Sequence, residues 1–370
     1  MPGSISDILP SAAALLGFPG AADPLGLRDR IGEVPRVAVV LLDGLGYHLL
    51  PELTQDAPLL ASVLAGDTGE LAELSCTFPS TTPTSLVSLG TGAAPGEHGV
   101  LGFTVNVPGT DRVLTHIFWG DDPAPTAWQP VPTWFQRLRA AGVDSRAVLP
   151  ELFIGSGLTE SAYRGAEFLS VARGEDYGQR LAAELASPGL VYGYTAALDH
   201  AAHVSGIGSE HWHAAATKVD ALLRQLVDAL PDDAVLLVTA DHGGLNVPES
   251  ARIDLDADPV LAAGIRVVAG EPRVRYLHTE PGATADVLAA WTERLAGRAL
   301  VQSREQAVAS GVFGPMRDDH LARIGDVVVT CTGDTAILAT AHEPPQTAQL
   351  VGFHGGLTPV ETAIPLITLR

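Results

Sequence analysis

Lysine is almost missing from this chain: Lys218 is the only one in 370 residues. Lys and Arg together number 22 against 43 Asp and Glu, a formal net charge of -21. A surface of that sign repels nucleic-acid backbones, which argues against a DNA or RNA polymer as partner. A small anionic substrate remains open, because bound cations reverse the field locally. Cysteine is also scarce. Cys76 and Cys331 cannot build a disulfide framework, and neither has a metal-binding companion at short spacing. Free thiols fit a reducing compartment. No apolar run approaches the roughly 20 residues that span a bilayer. The first residues, MPGSISDILPSAAALLGFPG, have no basic segment ahead of their short apolar run, so no secretion signal is read and a cytoplasmic location without membrane attachment is expected. Aromatic residues are only 5% of the chain, and no stacking slot for a nucleobase is evident.

What the chain has instead is a regular alternation. VAVVLLDG (37–44), SRAVLP (145–150), GLVYGYTAALD (189–199) and DDAVLLVTADHG (232–243) read as strands; PTWFQRLRAA, DYGQRLAAELA and EHWHAAATKVDALLRQLVDAL read as helices between them. Continuously apolar strands separated by helices predict an α/β fold with a doubly wound, mainly parallel sheet. Residues 103–130 carry several turn signals and read as a hairpin or irregular excursion. Residues 248–345 have a different pattern, with strands such as IRVVAG, RVRYLHT and GDVVVTCTG around a helix. They are expected to form a small α+β cap inserted into a core made of 1–247 and 346–370. Arg273 and Arg275 in RVRY are read as a solvated strand edge.

Ligands in such sheets collect at the carboxyl ends of the strands. Four of these ends carry chemistry: Asp43 in LLDG, Asp199 and His203 in LDHAAH, Asp241 and His242 in TADHGG, and His354 in GFHGG. An Asp after a strand is commonly a turn former, and a His near glycines is commonly a loop residue. What raises these above that reading is repetition: apolar strand, then acid or imidazole, then Gly. Asp and His together suit a borderline divalent ion such as Zn²⁺, and three of each could hold two ions. Asp199 and His203 share a face only if a helical turn separates them.

In FPSTTPTSLVSLGTG (78–92), Thr82 precedes Pro83 and a helical pattern follows. The plain reading is an N-cap followed by Pro at the first helical position. A hydroxyl at a helix N-terminus also stands where anions bind well, and beside a metal ion it can ionise and attack phosphorus.

With these motifs in order, the chain resembles the alkaline phosphatase superfamily and, within it, the type I phosphodiesterase/nucleotide pyrophosphatase family. The resemblance runs from about residue 36 to the end through LLDG, FPSTTPT…TGAAPGEHG, LDHAAH, TADHGG and GFHGG. It implies an alkaline phosphatase-like core and two divalent ions, Zn²⁺ with Mn²⁺ as the alternative. It implies Thr82 as nucleophile, nine residues before Thr91, with Thr81 and Thr77 as rivals. By resemblance, Asp43, Asp241, His242 and Thr82 hold one ion, and Asp199, His203 and His354 hold the other. The implied reaction is hydrolysis of a phosphodiester or pyrophosphate bond in a small phosphorylated substrate through a phospho-threonine. The family often has a phosphoryl-binding Asn where this chain has Phe103; Asn106 is the nearby substitute. That departure leaves phosphomonoesters and phosphonates as the alternative substrates. A sulfatase would need C-x-P-x-R, but Cys76 is followed by Phe78 and Ser80 at those positions. A binding protein that merely kept the fold is disfavoured, since all six ligand positions and the Thr are present.

Overall fold

Val37 to Leu42 are buried on both faces, and the computed structural model, which describes residues 3–370, shows why. Their strand, Arg36–Leu42, is the middle of a seven-stranded sheet. The order is Glu70–Ser75, Ala363–Leu369, Ala234–Thr239, Arg36–Leu42, Gly189–Thr195, Ser145–Pro150, Glu167–Val171. Arg36–Leu42 pairs in parallel with Gly189–Thr195 and with Ala234–Thr239, and the parallel ladder continues outward through Ser145–Pro150 and Glu167–Val171. Ala363–Leu369 alone runs against its neighbours. The sheet is therefore mainly parallel, as the apolar runs predict. The three adjacent central strands end at the same edge, so Asp43, Asp199 and Asp241, which follow them, become neighbours in space.

The segment from Thr82 to Thr91 is helical, and its start differs by one residue from the sequence reading. Thr81, not Thr82, is the N-cap: its backbone is extended (φ -138°, ψ 146°), and its carbonyl accepts the Ser85 N–H at 3.1 Å. Thr82 is thus the first helical residue, with Pro83 behind it. Gly92, in the left-handed region at φ 69°, closes the helix.

Residues 265–331 supply a second sheet, antiparallel, in the order Ile265–Glu271, Val274–Thr279, Val327–Cys331, Ala299–Ser303. One face packs Leu277, Val327 and Val329 against Trp291 of the helix Thr284–Arg294. The other face sends Ala269, Val274, Tyr276 and Val328 into the main core, and the Tyr276 hydroxyl donates to the Leu101 carbonyl at 2.6 Å. The expectation of a solvated edge at Arg273 and Arg275 is wrong. Val274–Thr279 is an interior strand, and both side chains are buried in ion pairs: Arg273 with Glu361 at 2.7 Å and Arg275 with Glu343 at 2.6 Å. Cys76 and Cys331 are free thiols. No helix among the described residues is long and apolar enough to cross a membrane.

The Thr82–Thr91 helix lies close against the helix Gly157–Tyr163. A Cβ placed on Gly90 would come within 1.9 Å of the Ala162 carbonyl oxygen, which is backbone and cannot rotate away. Gly90→Ala is expected to destabilise the fold by about 1–3 kcal/mol, the usual cost of overpacking. The urea unfolding midpoint measures this; an unchanged midpoint would mean that the two helices can separate without loss.

Candidate active site

Each site residue is held by backbone contacts that extend the sheet edge. The Asp43 N–H donates to the Thr195 carbonyl at 3.0 Å, and the Asp43 carbonyl accepts the Asp199 N–H at 3.2 Å, so the first acid is fixed directly against the second. Gly44 follows because a Cβ there would meet the Asp199 Cβ at 2.9 Å in a φ +76° backbone. Asp199 and His203 lie one turn apart on the helix Ala197–Ser205. Asp241 and His242 follow the strand Ala234–Thr239, and Gly243 then donates its N–H to the Glu361 carbonyl at 2.8 Å. His354 arrives from the far end of the chain. Ser80, beside Thr81, binds the His354 segment at three points: its N–H donates to Gly355 O, its hydroxyl oxygen accepts from Gly355 N–H, and its carbonyl accepts from His354 Nδ1 at 2.8 Å.

The three imidazoles are oriented alike. His203 Nδ1 faces the Gly352 carbonyl, His242 Nδ1 the Gly243 carbonyl and His354 Nδ1 the Ser80 carbonyl, each at 2.8 Å. A carbonyl only accepts, so each Nδ1 carries a proton and each Nε2 faces the site as the atom that can coordinate once it is unprotonated. There the Nε2 atoms meet carboxylate oxygens: His203 to Asp199 at 3.2 Å, His242 to Asp43 at 3.4 Å and to Asp241 at 3.6 Å. His203 and His354 Nε2 are 3.2 Å apart. The Thr82 hydroxyl is 3.2 Å from His242 Nε2. Tyr194 donates its hydroxyl to Asp43 Oδ2, while Asp43 Oδ1 and Asp241 Oδ2 are buried with no partner.

A buried cluster made almost entirely of acceptors calls for cations. Its titration behaviour says the same. Burial, then Asp241 and Asp199, hold the Asp43 carboxyl well above its ordinary range. Burial and Asp199 push Asp241 up to about 6. Burial and His242 bring His354 down to about 3, and burial lowers His242. Burial would lower His203 too, but the adjacent Asp199 outweighs it and raises His203 to about 9. Burial would likewise raise Asp199; the imidazoles of His203, His354 and His242 hold it below the usual carboxylate range instead.

Asp199, His203 and His354 form one group with ligand atoms close enough for a single ion; Asp43, Asp199 and His242 form another. Asp199 stands between the two. Asp241 joins through its orphaned oxygen and His242. The residues present therefore offer two overlapping groups of donors that fit a divalent cation.

Asn106 is not among the residues brought together. Its amide donates to the Thr110 carbonyl at 2.9 Å within the hairpin Thr104–Asn106/Val113–Thr115. Glu271 is a residue that the sequence reading did not single out. It is the last residue of the strand Ile265–Glu271 in the second sheet and is 4% exposed. Its Oε2 lies 4.0 Å from His354 Nδ1, and its Cδ would be 2.9 Å from a Cβ on Gly355. Burial lifts its carboxyl to about 8 against the opposing pull of the Thr81 hydroxyl and the Phe103 N–H. Its only sequence signal is alternation: Val267, Ala269 and Glu271 share the face that looks into the core.

Many solved structures share this architecture, among them the following two. Murine ectonucleotide pyrophosphatase/phosphodiesterase 5, as its inactive T72A form in complex with AMP, aligns with a TM-score of 0.72 at 18% identity over 90% of this chain and 87% of its own. Phosphonoacetate hydrolase from Sinorhizobium meliloti 1021, in complex with phosphonoformate, aligns with a TM-score of 0.67 at 18% identity over 91% and 90%. No curated protein matches the chain in sequence. The chain thus shares the fold of these two proteins. The profile of type I phosphodiesterases/nucleotide pyrophosphatases matches residues 37–357, and the chain belongs to that family.

The folded pKa values of His203 and Glu271 both stand above their ordinary values of 6.5 and 4.5. Stability contributed by such groups is complete at low pH and declines as pH rises through the folded pKa. Glu271 acts from about 4.5 to 8 and His203 from about 6.5 to 9. Chelator-treated protein is therefore expected to melt at progressively lower temperature between pH 6.5 and 9, with Glu271→Gln flattening the lower part of that slope. Thermal unfolding followed by circular dichroism reads it; a melting temperature that rises across this window would contradict the assignment.

Proposed function

We propose that this protein is a metal-dependent hydrolase that cleaves phosphodiester or pyrophosphate bonds of small phosphorylated molecules, with Thr82 as nucleophile. The observation that carries the proposal is the position of the Thr82 hydroxyl. It sits on the first residue of a ten-residue helix, 3.2 Å from His242 Nε2 and beside the acceptor cluster. Asp199, His203 and His354 would hold one ion; Asp43, Asp241, His242 and Thr82 would hold the other. Zn²⁺ suits this Asp/His set, with Mn²⁺ the alternative. When bound, such ions supply Lewis acidity and neutralise charge on phosphoryl oxygens.

The chain's own residues do the rest. The Thr82 hydroxyl gives up its proton to solvent and its Oγ forms a bond to phosphorus. The bond from phosphorus to the leaving oxygen breaks, and that oxygen takes up a proton. Water then cleaves the phospho-threonine. The helix N-terminus presents free N–H groups and positive dipole to the phosphoryl oxygens. Backbone contacts on every Nδ1 keep the imidazoles from turning. The segment 248–345 is read as the cap over a core of 1–247 and 346–370, and its Glu271 reaches the site. The two free thiols suit a cytoplasmic setting.

The murine relative is described as inactive when a Thr is replaced by Ala and is bound to AMP, which supports an essential threonine and a phosphate ester as substrate. A second reading, a phosphomonoesterase or phosphonate hydrolase, is favoured by Phe103, which stands where an amide donor is common in the family, and by the likeness to phosphonoacetate hydrolase.

Hydrolysis of bis-p-nitrophenyl phosphate, p-nitrophenyl phosphate and phosphonoacetate, with Zn²⁺, with Mn²⁺ and with EDTA, separates the readings. Metal-dependent diester cleavage is expected, and Thr82→Ala should remove it, by at least about 10³-fold, while leaving metal content intact. Asp241→Ala and His354→Ala should each lose bound metal by elemental analysis. A wild-type rate in Thr82→Ala would move the nucleophile, and preference for the phosphonate or the monoester would move the substrate class.

A further inference from the structure

Beside Thr82 lies an apolar pocket of about 80 Å³, walled by Leu86, Ile117, Leu149, Phe153, Leu158 and Tyr194. Phe153 and Tyr194 also line a second, much larger cleft of about 1140 Å³, so the two spaces share a wall. The rim is apolar as well: Leu152, in the cleft, is 86% exposed, and Phe118, next to Ile117, is 82% exposed.

The larger cleft has an unusual charge content for this chain. It holds Lys218, the only lysine in the sequence, together with Arg173 and His200. Among the described residues, neither Lys218 nor Arg173 has an ion-pair partner, although the chain carries nearly twice as many acids as Lys and Arg. Glu151, Glu175 and Asp176 also line the cleft. Two of them are engaged locally: Glu175 accepts the Ala172 N–H at 2.8 Å, and Asp176 caps the helix Tyr177–Glu184 through the Gln179 N–H at 2.9 Å. Two of the three acids thus have hydrogen-bond donors and Glu151 has none among the described residues, while the two cations have only solvent.

We propose that this cleft is a subsite for a second anionic group of the substrate. The scissile phosphoryl group sits at Thr82, an apolar spacer passes Phe153 and Tyr194, and a terminal phosphate or carboxylate lies within reach of Lys218 and Arg173. This rests on the reading of Thr82 as the reacting centre. It adds that the preferred substrate carries an anion at both ends, and that its far end contributes binding energy at a distance from the chemistry.

The test is competitive inhibition of bis-p-nitrophenyl phosphate hydrolysis by alkane-α,ω-diol bisphosphates of increasing length, each compared with the alkyl monophosphate of equal length. At one spacer length the bisphosphate should inhibit roughly 3- to 10-fold more tightly than the monophosphate, the scale expected of two exposed cations. That ratio should fall to about one in the double variant Lys218→Gln/Arg173→Gln and be retained in Lys218→Arg. Equal inhibition by the two series at every length, or an undiminished ratio in the double variant, overturns the proposal. If the wild-type protein hydrolyses no ester, the functional reading fails by itself. Calorimetric titration of the Zn²⁺-loaded protein with the bisphosphate then decides the subsite: weaker binding by the double variant supports it, and equal or absent binding overturns it.

Discussion

Everything at the sheet edge follows from one electrostatic problem: three carboxylates and three imidazoles are packed against each other, all buried except the half-buried Asp199 and His203, with few donors among them. Asp43 Oδ1 and Asp241 Oδ2 have no partner at all, and both side chains are essentially excluded from water. Charge of one sign at such density is tolerated only beside a counter-charge, because desolvation penalises the ionised forms and mutual repulsion adds to that. The protein meets the problem by fixing the acceptors rigidly. The parallel ladder sets Asp43 against Asp199, and glycines 44, 243 and 355 let backbone approach where any side chain would collide. A site held this way would need little rearrangement to receive cations.

The rigidity reaches beyond the main sheet. Arg273, in the turn just before the interior strand Val274–Thr279, makes a two-pronged ion pair with Glu361 in which both side chains are fully buried. Glu361 also accepts the N–H of Gly356, two residues after His354, and its backbone carbonyl accepts the N–H of Gly243, next to His242. One buried pair therefore connects the second sheet to both glycine-flanked histidines. Such a pair adds little net stability over an apolar equivalent, yet removing one partner leaves a buried charge alone, which typically costs about 3–5 kcal/mol. Its value here is geometric, since it fixes the relative placement of two loops that the second sheet separates in the sequence.

How much of this was legible in the sequence depended on range. Strand-then-acid-then-glycine is a local pattern, and it placed Asp43, Asp199 and Asp241 on neighbouring strand ends. The four-residue spacing of Asp199 and His203 became one helical turn. The cap position slipped from Thr82 to Thr81 because hydrogen-bond closure from Ser85 decides a helix start, and composition alone resolves it only to within a residue. Arg273 and Arg275 were misread because strand order within the second sheet, which makes Val274–Thr279 an interior strand, is set by pairings about 50 residues apart. Glu271 was missed for the same reason: a charged residue ending an apolar strand resembles an exposed tip until the packing of a second sheet onto the first buries it. Asn106 shows the converse, a polar residue near the right motif whose amide closes its own hairpin.

The net charge of -21 and an anionic substrate are reconciled by this same geometry. Fields from exposed carboxylates are screened within about 10 Å at ordinary ionic strength, whereas interactions inside a water-poor pocket are not. What a phosphoryl group would meet at Thr82 is thus set by its immediate neighbours: a helix N-terminus, the cations that the buried acceptors demand, and an apolar wall of Leu86, Leu149, Phe153 and Leu158 that keeps the local dielectric low. Low dielectric strengthens each of those attractions. An acidic exterior and an anion-binding interior are compatible because they act over different distances through different media, and the protein's overall charge is a poor guide to what its active site attracts.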